Sequence, residues 1–403
     1  MAEVQYFPRG FGLKAEIEGR LWEDYHSRIV DALKRNDFRL AAGDLTFRLA
    51  AEFGFCYGVD RAVEYAYETR KRFPDRDIHI TGEIIHNPHV NQRLREMGIR
   101  FLTGPDAPEG AWEDLSATDV VILPAFGVTV GQMNLLREKG CTLVDTTCGS
   151  VLNVWKNVER YARDGFTSII HGKYDHEETR STASRTSLYK DGKYLVVRDH
   201  EETGIVCEHI LGRGDRDAFL DRFEPAVSKG FDPDRDLERA GLANQTTMLS
   251  SESLAVAERI RQAMIARYGE AELPKHFRSF DTICSATQDR QDAVLKLLKE
   301  GGVSMMLVIG GYNSSNTNHL AELSAAQVPT YHIEDHSCLI DSSTIRHKPV
   351  SGKLEETQTG WLPAGPLVIG ITAGASTPNN RIGEVVERIL TLRGIRLTDL
   401  PLT

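Results

Sequence analysis

Three segments hold a cysteine in similar surroundings: Cys56 in GFCYGV, Cys148 in TTCGSV and Cys284 in TICSAT. Each offers glycine, threonine or serine beside the thiol, able to donate hydrogen bonds to a thiolate or a sulfide. In VDTTCGSVLNVW the cysteine stands where an apolar run ends and a helical pattern begins, and a helix N-terminus favours the thiolate form. A buried structural thiol needs no such setting, whereas a metal ligand or a thiolate at a helix N-terminus would use it. Cys141, Cys207 and Cys338 have ordinary neighbours and read as small buried hydrophobes. No CxxC occurs, so the zinc-ribbon signature is absent.

Other polar groups suit an anion. Asn313–Asn316, reading NSSN, open a helix after the strand-like MMLVIGG. There, backbone N–H groups with Ser314, Ser315 and Asn316 can reach phosphate oxygens. Taken alone, such a motif is more often an N-cap. Ser376 in TAGAST supplies a second serine-bearing strand-to-helix turn. His86 in IIHNPHV and His176 in YDHEET add donors, though a lone histidine at a turn is more often a surface residue. Glu178 follows His176 by two positions and, on an exposed turn, would be a solvated carboxylate.

These residues need elements that carry them. Short apolar runs ending in Gly, Ser, Thr or Asn, then i, i+3, i+4 spacing, recur along the chain, as in MMLVIGGYNSSNTNHLAEL and LVIGITAGASTPNNRIGEVVERIL. That is the signature of strand-loop-helix units, hence α/β structure with parallel sheets and ligands at the carboxyl ends of strands. The distinctive cysteines divide the chain into comparable blocks: 46–147, 148–283 and 284–390, with a tail at 391–403. The opening strand of the first block, running to Cys56, is a candidate to join the third. Residues 1–45 read as an amphipathic helical extension, 208–242 as a charged surface insertion, and 341–366 as loop-rich.

At 403 residues with 41% hydrophobic content, the chain can bury a large core in two or three domains. A net charge of −10 argues against a general nucleic-acid binder. It also requires that an acidic redox partner be met through a local basic patch. No apolar run of roughly 18 residues occurs, so no membrane span is expected. The N-terminus lacks an apolar signal core, and six cysteines are too few for a disulfide scaffold. The expected compartment is the cytoplasm, or the stroma for a plastid protein, with no transit peptide evident.

Taken in order, GFCYGVDRA, GEIIHNPHV, VDTTC, HGKYDHEET, ANQTTM, TICSATQDRQDA, GGYNSSNTNHL and ITAGAST resemble the 4-hydroxy-3-methylbut-2-enyl diphosphate reductase family, from about residue 50 to about residue 388. PAFG, HGKYDHEET and FDPDRDLERAGLANQTTM resemble its cyanobacterial and plant-like branch. The resemblance implies a trefoil of three α/β domains, in pseudo-threefold arrangement around a 4Fe–4S cluster held by Cys56, Cys148 and Cys284. One iron would be left open for substrate oxygen. It implies a phosphate cradle of His86, His176, Ser314, Ser315, Asn316 and Ser376. Glu178 would be the proton donor, its pKa raised by burial, and Thr246 would position the substrate hydroxyl and relay the proton. Gln245 and Thr247 would be helpers. Two departures stand out: Phe126 replaces a phosphate-contacting histidine of many bacterial relatives, and CGSV stands for CPxV.

The implied reaction is reductive dehydroxylation at an allylic CH2–OH, giving isopentenyl and dimethylallyl diphosphate in the last step of the methylerythritol phosphate route. No dinucleotide or flavin fingerprint is present, so electrons would come from ferredoxin or flavodoxin. A monomer or homodimer is expected. Two rivals are a quinolinate-synthase-like trefoil, which condenses and dehydrates without consuming electrons, and a non-catalytic metal- or phosphate-binding protein on the same scaffold.

Overall fold

Val120–Leu123, Thr142–Asp145, Thr167–His171, Ala240–Asn244 and Met305–Ile309 are buried at every residue, so they lack the alternation of a half-solvated strand. Strands apolar on both faces belong in parallel sheets covered by helices. The structure, a computed structural model, describes residues 5–105, 107–280, 282–352 and 354–399 and has this α/β architecture. It divides into two compact units.

The first unit contains the residues up to Arg9, Asp75–Ile84 and Arg100–Cys284. One of its sheets has the order β1 (Tyr6–Phe7), β7 (Thr142–Asp145), β6 (Val120–Leu123), β4 (Ile78–Ile80), β5 (Ile99–Phe101). The β1–β7, β7–β6 and β6–β4 pairs are parallel. The other sheet, parallel throughout, has the order β11 (Phe277–Ser279), β10 (Ala240–Asn244), β8 (Thr167–His171), β9 (Tyr194–Val197).

The second unit contains Gly10–Pro74, Ile85–Ile99 and the chain from Ser285 onward. Its sheet has the order β13 (Thr330–Ile333), β12 (Met305–Ile309), β16 (Leu367–Ala373), β3 (Leu45–Leu49), β2 (Arg39–Ala42). All pairs are parallel except β2 with β3. Thus the strand that leads to Cys56 pairs with β16, Leu367 facing Leu45, over a core that includes Phe47, Leu307 and Ile369.

Three segments differ from their sequence reading. Residues 1–45 do carry helices at Lys14–Tyr25 and Arg28–Arg35, but they also supply β1 and β2, each an edge strand of a sheet. Strands of two and four residues are too short to show a period. The segment 208–242 is not merely superficial: Phe219, Phe223 and Phe231 are at most 5% exposed in the first unit's core. Burying each contributes roughly 1.5–3 kcal/mol, and the segment's last residues begin β10. Residues 341–366 contain an antiparallel hairpin, β14 (Thr344–His347) with β15 (Glu356–Thr359).

Candidate active site

In the first unit, β8 and β10 run side by side and end next to each other, with the N–H of Gln245 donating to the carbonyl of His171 (2.8 Å). After β8 the chain turns into the helix Glu177–Ser184. His176 is its N-cap, and His176 Nδ1 accepts from the N–H of Glu178 at 3.1 Å. That use of Nδ1 leaves the proton of a neutral imidazole on Nε2. Glu178 is only 2% exposed, so it is not the solvated carboxylate of an open turn.

The chain leaving β10 meets this carboxylate. Thr246 donates its backbone N–H to Glu178 Oε1 (2.6 Å) and its hydroxyl to Oε2 (2.9 Å). Gln245 braces the turn, its Oε1 accepting from the N–H of Lys173 and the hydroxyl of Thr179, both at 3.1 Å. Gly172 permits this approach, since a Cβ there would lie 2.9 Å from Gln245 Cβ. Thr247 accepts from Gln245 Nε2 at 2.9 Å.

The same turn reaches two cysteines. The carbonyl of Thr246 accepts from the N–H of Cys284 (3.3 Å), and the hydroxyl of Ser150 donates to Cys284 Sγ (3.3 Å). Ser150 lies in the first turn of the helix Gly149–Arg163, whose N-cap is Cys148. Cys148, Ser150, Cys284, Thr246 and Glu178 therefore form one continuous arrangement. Phe126 packs edge-on against His176, ring centroids 5.9 Å apart, and its carbonyl accepts from Ser181 at 2.8 Å. The aromatic ring thus contributes a wall where an imidazole would contribute a donor.

Of the residues expected to meet an anion, all but His176, which lies in the first unit, belong to the second unit, where Ser314–Asn316 and Ser376 follow the carboxyl ends of β12 and β16. Ser314 is the N-cap of the helix Ser315–Ala325, its Oγ accepting from Thr317 N–H at 3.4 Å, so the ordinary capping role is real. Ser315 and Asn316 follow in the first turn, both 2% exposed. Asn316 Oδ1 accepts from the N–H of Ala375 (2.9 Å), while its Nδ2 is buried with no hydrogen-bond partner among the described residues. A buried amide donor left unsatisfied is costly, and an anion at the helix N-terminus would supply its acceptor.

Ser376 donates to the carbonyl of His86 (3.0 Å), and Asn313 Nδ2 donates to His86 Nδ1 (3.4 Å). Gly311 fits against the same carbonyl; a Cβ would lie 2.9 Å from it. Cys56 caps the helix Tyr57–Arg72, and its N–H donates to the carbonyl of Ala375 (3.2 Å).

Cys56, Cys148 and Cys284 are half-buried, whereas Cys141, Cys207 and Cys338 are buried. Neither Cys56 nor Cys148 uses its side chain as a cap acceptor. A half-buried cysteine sulfur at a helix N-terminus, with a hydroxyl bond already reaching that of Cys284, has the chemistry to ligate an iron–sulfur group.

Some contributors have no distinctive sequence signal. Lys348, just beyond β14, donates to the carbonyl of Tyr312 (3.0 Å) and to Asn318 Oδ1 (2.8 Å), clamping the loop that enters NSSN. Arg290, 4% exposed, donates to the carbonyl of Gly54 (2.7 Å), two residues before Cys56. Ser150 and Arg290 both lie in or beside segments already notable for their cysteines; Lys348 lies in a stretch that reads only as loop.

A family model described as LytB protein matches residues 47–390. The 4-hydroxy-3-methylbut-2-enyl diphosphate reductase of Gloeobacter violaceus is 50% identical over 400 residues, 98% of this chain and 94% of the relative. The enzyme of the same name from Picosynechococcus sp. is 49% identical over 385 residues, 95% of this chain and 94% of that one. A solved structure of (E)-4-hydroxy-3-methyl-but-2-enyl diphosphate reductase, the terminal enzyme of the non-mevalonate pathway, aligns with a TM-score of 0.52 at 29% identity, covering 86% of this chain and 99% of that one. The E-1-hydroxy-2-methyl-but-2-enyl-4-diphosphate reductase from Plasmodium falciparum shares the fold, with a TM-score of 0.61 at 20% identity over 85% of this chain and 87% of its own.

Proposed function

The chain belongs to the LytB protein family, and from that membership we propose how its residues carry out the reduction of (E)-4-hydroxy-3-methylbut-2-enyl diphosphate. The reaction consumes two electrons and two protons, releases water, and yields isopentenyl and dimethylallyl diphosphate, the closing step of the methylerythritol phosphate route.

Cys56, Cys148 and Cys284 would hold a 4Fe–4S cluster. When bound, it would supply electrons one at a time and a Lewis-acidic iron without a protein thiolate. The remaining chemistry belongs to side chains. The NSSN turn binds the diphosphate through Ser314, Ser315, Asn316 and helix N–H groups, with Asn316 Nδ2 as a donor otherwise unmatched. His86, His176 and Ser376 complete the set of binding groups.

Glu178 holds the proton. Its carboxyl is buried and in contact with the Thr246 hydroxyl at 2.9 Å, which donates to Oε2. With the carboxyl protonated and that hydroxyl rotated toward the substrate, Oε2 would donate to Thr246 Oγ1 while the threonine passes its own proton to the departing hydroxyl. This pair is the observation that carries the reading. A scaffold that only bound metal or phosphate would have no use for a buried carboxyl aimed at a hydroxyl beside a candidate ligand. Electrons come from a protein carrier of the ferredoxin or flavodoxin kind. Among the described residues, no helix is long and apolar enough to cross a membrane.

The test is turnover by anaerobically reconstituted protein, with reduced methyl viologen as electron source and the C5 diphosphates assayed. Viologen oxidation matched by product supports the reductase. Protein with an intact cluster that turns nothing over would overturn the reading, and electron-independent chemistry would favour the quinolinate-synthase-like alternative.

A further inference from the structure

In the first unit, a cleft of about 310 Å³ is lined by the helices Val130–Glu138 and Gly149–Arg163 together with Tyr6, Arg185 and Leu188. Three large apolar side chains in its wall are open to solvent: Tyr6 at 43%, Leu152 at 37% and Leu188 at 49%. The buried ring of Trp155 also lines it, with the Arg185 guanidinium 4.6 Å above.

The charges around this apolar centre are unbalanced. Arg185 is paired with Glu159 (2.7 Å), and Asp145 is nearly buried and accepts from Tyr6 and Thr147. Arg137 and Lys156 are exposed, and neither forms an ion pair with a described carboxylate. With Arg137, Lys156 and Arg185 set against Asp145 and Glu159, the cleft's lining has one more cation than carboxylates, and its two exposed unpaired charges are both positive, on a chain whose net charge is −10. An apolar centre with a charged rim is the anatomy of a transient protein interface, and the rim sets partner choice and encounter rate.

Its position matters as much as its charge. The N–H of Leu152 donates to the carbonyl of Cys148 (3.0 Å), so the exposed apolar wall begins one helical turn from that thiol. Lys156 follows one turn later, about 12 Å along the axis from Cys148 at the usual rise per residue.

We propose that this cleft docks the electron donor, a small acidic one-electron carrier protein. The inference rests on the iron–sulfur reading above and adds where the carrier binds. Each reduced carrier gives up one electron and leaves oxidised, and two such visits match one substrate reduced.

The test compares two electron sources on cluster-loaded protein, wild type and the double variant R137E/K156E. Reduced methyl viologen needs no protein docking surface; a reduced plant-type ferredoxin does. The variant should keep viologen-driven turnover within about twofold while its KM for ferredoxin rises about tenfold or more. Wild-type ferredoxin-driven turnover should also fall with added salt more steeply than the variant's. An unchanged ferredoxin KM overturns the proposal, as does an equal loss by both routes. Calorimetric titration of ferredoxin into the same two proteins reads binding without turnover, so it decides the matter even if the reductase reading fails. Equal affinities there overturn the docking site, and so does a charge reversal that alters self-association alone, which would make the cleft an interface between copies.

Discussion

Glu178 accepts two hydrogen bonds from one residue, the backbone N–H of Thr246 at 2.6 Å and its hydroxyl at 2.9 Å. The pair is 68 positions apart in sequence and buried, with the carboxyl at 2% and the threonine at 5% exposure. One bond fixes the carboxylate and the other joins it to a hydroxyl, the contact through which the proposed reaction would move a proton.

Glu178→Gln retains the shape and an acceptor for the backbone N–H but has no proton to release. Viologen-driven turnover should fall by roughly 10²–10⁴-fold, with iron content unchanged. Thr246→Val should also be severely slowed, and Thr246→Ser should recover most of the rate because it restores the hydroxyl. A Glu178→Gln enzyme working at wild-type speed would remove the proton-donor assignment.

The hydroxyl of Ser150 points a hydrogen bond at Cys284 Sγ. Bonds to ligand sulfur stabilise the more negative, reduced state of an iron–sulfur group. Ser150→Ala should therefore lower the midpoint potential in an anaerobic redox titration while iron content stays at the wild-type level. Cys148→Ser or Cys284→Ser should instead reduce the iron retained. A midpoint that does not move in Ser150→Ala would mean that the hydroxyl serves only the helix turn.

Lys348 positions the loop before the Asn313–Asn316 turn, the proposed diphosphate cradle, through the Tyr312 carbonyl and Asn318. Hydrogen bonds from a charged donor are worth about 1.5–3 kcal/mol each, and their loss should loosen the cradle rather than the reacting end. Lys348→Met is expected to raise KM for the diphosphate about tenfold with kcat little changed, and Lys348→Arg to recover part of that. Steady-state kinetics, with inorganic diphosphate as competing ligand, separates the outcomes. A fall in kcat alone would contradict a role in binding.

His332 lies buried on β13, bonded to the carbonyl of Gly310 (3.0 Å), and burial pushes its pKa down to about 4. In the unfolded chain it would take up a proton near pH 6.5. Between those values the unfolded state holds more protons, so stability falls as pH drops through the window. From pH 7 to pH 5 this group alone should remove about 2 kcal/mol. Denaturant unfolding at the two pH values, on wild type and His332→Gln, measures it. The variant's pH dependence should be shallower by about that amount, and an equally steep loss would put the acid sensitivity elsewhere.

Much of the scaffold is legible from short windows. The handover from apolar run to helix at TTCGSV corresponds to Cys148 as an N-cap, and NSSN to Ser314 as one. Strand and capping signals arise from sterics and hydrogen bonds within a few residues, so a local reading can find them. Phe126 was also visible as a departure, although its packing against His176 was not.

Other features depend on partners far away in sequence. That β3 lies beside β16 is a pairing between Leu45 and Leu367, and β1 joins β7 through only two residues. Neither short strand announces its neighbour, because parallel pairing is chosen by the summed packing of whole sheets. The same reason hides Lys348 in an unremarkable loop and turns Glu178 from a turn carboxylate into a buried one. Residue types and their punctuation determine which groups could act; burial and hydrogen-bond partners, which are sums over distant segments, decide which of them the folded chain brings into contact.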